Sequence, residues 1–171
     1  ERPREARWLA LCLATALRES FEEMRLNPLR VKFLGPLPPQ RLELFRRLIY
    51  PLAAWAPGPR HYRHNREVQR VVTVPLRHLL DPGRYVRCEM RVALPRPGLS
   101  HGRIHPAFRL DPGKGSEILW GATYRIVVSF LQAAFGFSPP APEGVPLVSV
   151  CLGEDYLTGG GGQVSAAGRG G

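Results

Sequence analysis

Residues 18–26 run Arg18-Glu19-Ser20-Phe21-Glu22-Glu23-Met24-Arg25-Leu26 and close a longer amphipathic segment. Leu13, Leu17, Phe21 and Met24 recur at spacings of four, four and three, which stacks them on one side of a helix. At about 100° per residue, Glu19, Glu22 and Glu23 centre on the opposite side. The pattern predicts a helix over 9–26, stopped by Asn27-Pro28. Two readings of the acids stay open. One is a solvated acidic face on which Arg18 and Glu22 form an ordinary i, i+4 pair. The other is a set of three carboxylates at i, i+3 and i+4, close enough to share a cation.

Outward from this helix the chain turns strand-rich. Leu29–Leu37 reads as a strand ended by Pro36 and Pro38-Pro39. Arg47–Trp55 is a second, with Pro51 arguing for an edge or a bulge. Arg60–Arg66 is a polar loop, and the β-branched Val68–Val74 predicts a strand. Pro75–Leu80 is a helical turn stopped by Asp81-Pro82-Gly83. Tyr85–Leu94 and His105–Leu110 are strands about a turn at Arg96–Gly102, and Ile118–Phe135 is a long apolar helix. From Ser138 the text becomes Pro- and then Gly-rich, too poor in apolar surface to offset its ordering entropy. The expected organisation is one domain over 1–137 and a disordered tail over 138–171, without internal repeats.

Composition narrows the class. The 171 residues are 44% hydrophobic and 22% charged, values of a globular chain. Lys plus Arg number 24 against 14 Asp plus Glu, a formal net charge of +10. Such a balance suits a polyanionic partner. Lys occurs only at Lys32 and Lys114, so the charge is nearly all Arg, which favours bidentate phosphate contacts and equally suits a GC-rich genome. Cys12, Cys88 and Cys151 are scattered and form no CxxC pair, which indicates neither a disulfide framework nor a zinc site and points to a cytoplasmic setting. The apolar run Trp8–Leu17 behind Arg2, Arg4 and Arg7 is superficially like a signal peptide. It is too short to span a bilayer and continues unbroken into Arg18 and Glu19, so a helix with its apolar side toward a core is preferred. No membrane partner is expected.

Residues 18–26 resemble the second half of the Nudix box, G-x5-E-x7-R-E-U-x-E-E-x-G-U with U aliphatic. Further text resembles the coenzyme A diphosphatase-like subgroup of that family: Asn65-Arg66-Glu67-Val68, then Val74-Pro75-Leu76, Leu79-Leu80-Asp81-Pro82 and Ile118-Leu119-Trp120-Gly121-Ala122-Thr123. The likeness covers about residues 14 to 135. It implies an α/β fold, a Nudix-like α/β/α sandwich with a mixed sheet that lacks its first strands. It further implies a phosphoanhydride hydrolase acting on a small-molecule nucleotide, coenzyme A or a derivative. Such hydrolysis needs charge on bridging oxygens neutralised and water made nucleophilic, which divalent cations do. Carboxylate oxygens suit Mg²⁺ or Mn²⁺. By the resemblance Glu22, Glu23 and Glu19 are metal ligands, Glu19 is also a water activator, and Arg18 orients a carboxylate. Glu67 reaches the metal site or the substrate base, or is a solvated loop acid.

The chain departs from the pattern where its glycines and first glutamate should stand. Arg4 stands where the box has its first glycine, Ala10 where it has its first glutamate, and Arg25 where a glycine ends the helix. Arg25 must therefore avoid a left-handed conformation or strain into one. The chain also starts inside the box, so a fragment is expected, poorly stable in isolation because the face holding Leu13, Leu17 and Phe21 is opened.

Two other functions compete with hydrolysis. A catalytically inactive Nudix-like binding module fits the missing glycine and glutamate. Last comes an Arg-rich nucleic-acid-binding protein, with Arg41, Arg46, Arg47, Arg60, Arg63, Arg66 and Arg70 as footprint and Tyr50, Trp55 and Tyr62 for stacking. His61, His64, His78, His101 and His105 lack metal-ligand spacing, and no P-loop or dinucleotide fingerprint is present. Sequence leaves the oligomeric state open.

Overall fold

Helix α1 (Arg2–Met24) starts seven residues earlier than its apolar periodicity announces. Pro3 sits in the first turn, where its missing N–H is no loss, and Glu5 complements the helix N-terminus. A computed structural model of the chain describes residues 2–42, 47–57, 63–68, 71–92, 103–110, 117–152 and 165–167. The chain divides into two units, Glu1–Pro39 with Ile49–Thr73 and Gln40–Leu48 with Val74–Gly171.

In the first unit α1 is followed by a single 3₁₀ turn at Pro28–Arg30, capped by the Asn27 side chain accepting from the Leu29 N–H at 3.0 Å. The expected strand shortens to β1 (Lys32–Pro36). The strand expected over Arg47–Trp55 breaks at Tyr50-Pro51 into β3 (Arg47–Ile49) and β4 (Leu52–Trp55). Pro51 supplies no ladder N–H, but its carbonyl accepts from the Leu37 N–H at 2.9 Å. Strands β1 and β4 pair antiparallel with a bulge between Phe33 and Gly35. The α1 stripe does not reach a core: Leu13, Leu17 and Met24 are half-buried, and Phe21 is 45% exposed.

The second unit holds the core. Strand β2 (Gln40–Leu42) pairs with β3, whose Arg47 and Leu48 also belong to this unit, in a two-stranded sheet. Helix α2 (Leu76–Leu79) is the expected turn, ending at Leu80, and Asp81 caps the 3₁₀ turn that follows it, Pro82–Arg84, by accepting the Gly83 N–H at 2.9 Å. Strands β5 (Tyr85–Val92), β6 (Ile104–Arg109), β7 (Ile118–Trp120), β8 (Leu147–Leu152) and β9 (Ser165–Ala167) form one sheet in the order β7-β6-β5-β8-β9. It is mixed: β5 and β8 run parallel, and every other neighbour is antiparallel. The protein is thus of the α/β class.

The core is layered by strand alternation. Val86, Cys88, Ala107, Ile118 and Val150 fill one face of the sheet. Tyr85 and Phe108 fill the other, where helix α3 (Gly121–Phe135) adds Tyr124 and Leu131. Tyr85 is only 3% exposed, and its hydroxyl donates to the Leu79 carbonyl at 2.6 Å.

Three expectations are corrected here. The helix expected from Ile118 begins at Gly121, because Ile118–Trp120 pairs with β6 and the φ of +66° at Gly121 turns the chain from strand to helix. The described part of Val68–Val74 contains no strand; β-branched residues extend only where a neighbouring ladder receives them, and Val74 instead packs on the Leu79–Tyr85 cluster. The stretch after Phe137, expected to be a disordered tail, contributes β8 to the middle of the sheet, with Val150 fully buried. Pro139–Pro146 only bridges to that strand, through a 3₁₀ turn at Pro142–Gly144. The turn at Arg96–Gly102, and 153–164 and 168–171 of the tail, lie outside the described residues. No helix among the described residues is long and apolar enough to cross a membrane.

Candidate functional site

The acids of residues 18–26 lie on the last turns of α1. Arg18 organises two of them. Its Nη1 donates to both Glu22 carboxylate oxygens at 2.9 Å, and its Nη2 pairs with Glu19 Oε1. These side chains are exposed, 59% for Arg18, 46% for Glu19 and 50% for Glu22. The hydrogen bond to Glu22, then the charges of Glu19 and Glu22, raise the Arg18 pKa further, so the guanidinium is permanently charged. The i, i+4 pair that sequence alone allowed is therefore formed, with Glu19 added to it.

The end of the helix shows how Arg25 resolves its position. It adopts φ +55°, the left-handed conformation, and is the sole non-glycine with positive φ among the described residues. The Arg25 N–H donates to the Phe21 carbonyl at 2.9 Å, the bond of an αL cap, and the Leu26 N–H donates to the Ser20 carbonyl at 3.3 Å. The Arg25 guanidinium lies 5.6 Å from the centre of the Phe21 ring.

Glu67 is brought to the same end of α1 through Asn65. The Asn65 N–H donates to the Glu23 carbonyl at 2.9 Å, satisfying one of the orphan acceptors of the last turn. Its Oδ1 accepts from the Glu67 N–H at 2.9 Å and the Val68 N–H at 3.3 Å. This Asx turn was legible only as the motif Asn65-Arg66-Glu67-Val68; that it docks on Glu23, 42 residues away, was not.

Donor chemistry and spacing on α1 suit a hard divalent cation, but the acids are not preassembled as a cage. Among the described residues no group of three His, Cys, Asp or Glu is poised to hold a metal ion. The described histidines, His64, His78 and His105, belong to no such group; His61 and His101 lie outside the described residues. Of the basic footprint, Arg41, Arg47, Arg63 and Arg66 are exposed, and Arg46, Arg60, Arg70 and Tyr62 lie outside the described residues.

A feature absent from the sequence reading is an open groove of about 700 Å³ in the first unit, lined by Trp8, Leu9, Cys12, Leu37, Tyr50 and Leu52 among others. Trp8 and Tyr50 meet edge to face there, centroids 5.7 Å apart. Continuing the helical stripe Glu5, Leu9, Cys12 by steps of three and four leads through Ala16 to Glu19 and Glu23, so the groove and the acids share one side of α1. No protein-family model matches the chain, and no curated protein or solved structure does.

Proposed function

We propose that this protein is a Nudix-type hydrolase, dependent on Mg²⁺ or Mn²⁺, that cleaves the phosphoanhydride of a nucleoside diphosphate linked to another moiety, coenzyme A or a derivative being the preferred substrate. The observation that carries the reading is Arg25. A non-glycine residue held at φ +55° is costly, and it occurs at the position where the box resembled by residues 18–26 requires glycine. Local geometry and motif thus coincide where the side chain disagrees. The mixed sheet covered by α3 supports the α/β/α sandwich of that family, and the groove farther along the same side of α1 supports a substrate with an apolar portion beyond its phosphates.

In this reading Glu19, Glu22 and Glu23 hold the cation. When bound, it neutralises phosphate charge and lowers the pKa of water. The chain's own residues do the rest. Arg18 fixes the Glu22 carboxylate through two charge-assisted hydrogen bonds. Asn65 docks the turn that carries Glu67 on the end of α1, and in this reading Glu67 contacts substrate. The test is Mg²⁺- or Mn²⁺-dependent product release from coenzyme A, ADP-ribose and a dinucleoside polyphosphate. Turnover should fall at least about tenfold in Glu22→Gln; turnover unchanged by that substitution removes the mechanism.

A binding module without hydrolysis is favoured by one observation: Ala10, exposed on α1, supplies no carboxylate where the box has its first glutamate. Nucleotide binding with no product release would select it. Salt-dependent oligonucleotide binding without hydrolysis would instead select the Arg-rich nucleic-acid reading.

A further inference from the structure

We propose that the groove of the first unit binds a small organic cation, a quaternary ammonium group carried on an apolar body. The inference goes beyond the hydrolase reading and does not depend on it. Every residue lining the groove belongs to one unit, so that unit alone builds the site. Two aromatic rings form its corner. Trp8 and Tyr50 stand at 80° with centroids 5.7 Å apart and remain 52% and 45% exposed, so ring face is open to a ligand. The negative face of an aromatic ring attracts a cation. Among the described residues Glu5 is the only charged side chain lining the groove. It precedes Trp8 by three positions, which brings the two to about 5–6 Å on the helix surface. The whole chain carries a formal net charge of +10, so a groove whose lining charge is negative favours a partner opposite in sign to those that suit the chain as a whole.

The wall that carries Tyr50 is set before a ligand arrives. The Leu37 N–H donates to the Pro51 carbonyl at 2.9 Å, and Pro36, Pro38 and Pro51 hold fixed φ angles. The remaining lining decides the kind of cation. Leu9, Leu37 and Leu52 offer no acceptor in their side chains. A group with several N–H donors would leave some of them unpaired there, and a metal ion would find one carboxylate where it needs several oxygens. A quaternary ammonium has no N–H and is satisfied by ring faces and a single acid. The volume of about 700 Å³ is that of a site for a small organic ligand, whose apolar body the leucines receive.

The experiment titrates the full chain with choline and with dimethylbutanol, the uncharged isostere in which carbon replaces nitrogen, following the Trp8 indole N–H by nuclear magnetic resonance. Loss of that signal in Trp8→Phe assigns it. Choline should bind in the millimolar range and about tenfold tighter than the alcohol, the combined effect of an exposed cation–π contact and an exposed ion pair. Hexyltrimethylammonium should bind tighter still, by about fourfold for each methylene the leucines cover. Glu5→Gln should weaken choline about threefold and leave the alcohol unchanged. Glu143→Gln removes the same charge from an exposed turn outside the lining and should match wild type. Equal affinity for choline and the alcohol, no movement of the Trp8 signal with millimolar choline, or a choline affinity indifferent to Glu5→Gln each overturns the cation site and leaves the hydrolase reading standing. The choline–alcohol comparison is made on the unaltered protein, so it decides even where a variant fails to fold.

Discussion

Replacing Arg25 with glycine should stabilise the protein, and the size of the effect follows from two helix ends that share one geometry. Helix α3 closes at Gly136, φ +63°, with the Gly136 N–H donating to the Gln132 carbonyl at 3.0 Å and the Phe137 N–H to the Leu131 carbonyl at 3.4 Å. Helix α1 closes at Arg25, φ +55°, with the same two bonds at 2.9 and 3.3 Å. Backbone and hydrogen bonds match; the side chain differs. A left-handed L-residue costs about 1–2 kcal/mol. Glycine removes that cost but gives up about 0.5–1 kcal/mol through its freer unfolded chain. Arg25 also lies over Phe21, a contact that glycine and alanine both lose, so the informative quantity is the difference between Arg25→Gly and Arg25→Ala. Glycine should exceed alanine by about 0.5–1 kcal/mol, a midpoint shift of about 1–4 °C for a chain of this size. The converse substitution, Gly136→Ala, should cost a similar amount. Urea unfolding followed by far-ultraviolet circular dichroism measures all three. Alanine equal to glycine at position 25, with Gly136→Ala clearly destabilising, would show that α1 does not end in the left-handed conformation.

Other consequences can be checked alongside. Leu131→Ala, which empties a fully buried site between α3 and the Tyr85–Phe108 layer, should cost about 2–5 kcal/mol in urea unfolding. Tyr85→Phe leaves the Leu79 carbonyl without its donor and should cost about 1–2 kcal/mol. Burial pushes the Tyr85 hydroxyl from 10.0 up to about 12, so the unfolded chain loses that proton first; stability should be full below pH 10 and fall as pH rises toward 12, with a gentler slope in Tyr85→Phe. Melts taken across that range that show equal slopes for the two proteins would contradict the buried, neutral phenol.

Legibility in the sequence followed the range of the interaction involved. The α1 periodicity, the Asn27-Pro28 stop, the Asp81 cap and the strand beginning at Tyr85 are local, settled by side-chain spacing and by caps within a few residues. The i, i+4 relation of Arg18 and Glu22 was visible for the same reason. Failures occurred where a partner distant in sequence overruled local preference. Ile118–Trp120 has helical neighbours but pairs with β6, and Val71–Val74 has strand propensity but no ladder to join.

Sequence by itself therefore determined where the long helices stop and which acids share a side of α1. Tertiary structure alone decided that Leu147–Leu152 is an inner strand, since its Pro-rich approach reads as a tail until β5, some 60 residues upstream, offers it a parallel edge. It alone decided that Asn65 ties the turn carrying Glu67 to the end of α1, and that the buried core of the described residues belongs to the sheet and α3 rather than to the amphipathic α1. The physical reason is common to all three. Amphipathic patterning states which side of an element is apolar, whereas burial depends on surfaces brought together across long loops, whose closure entropy no local pattern records.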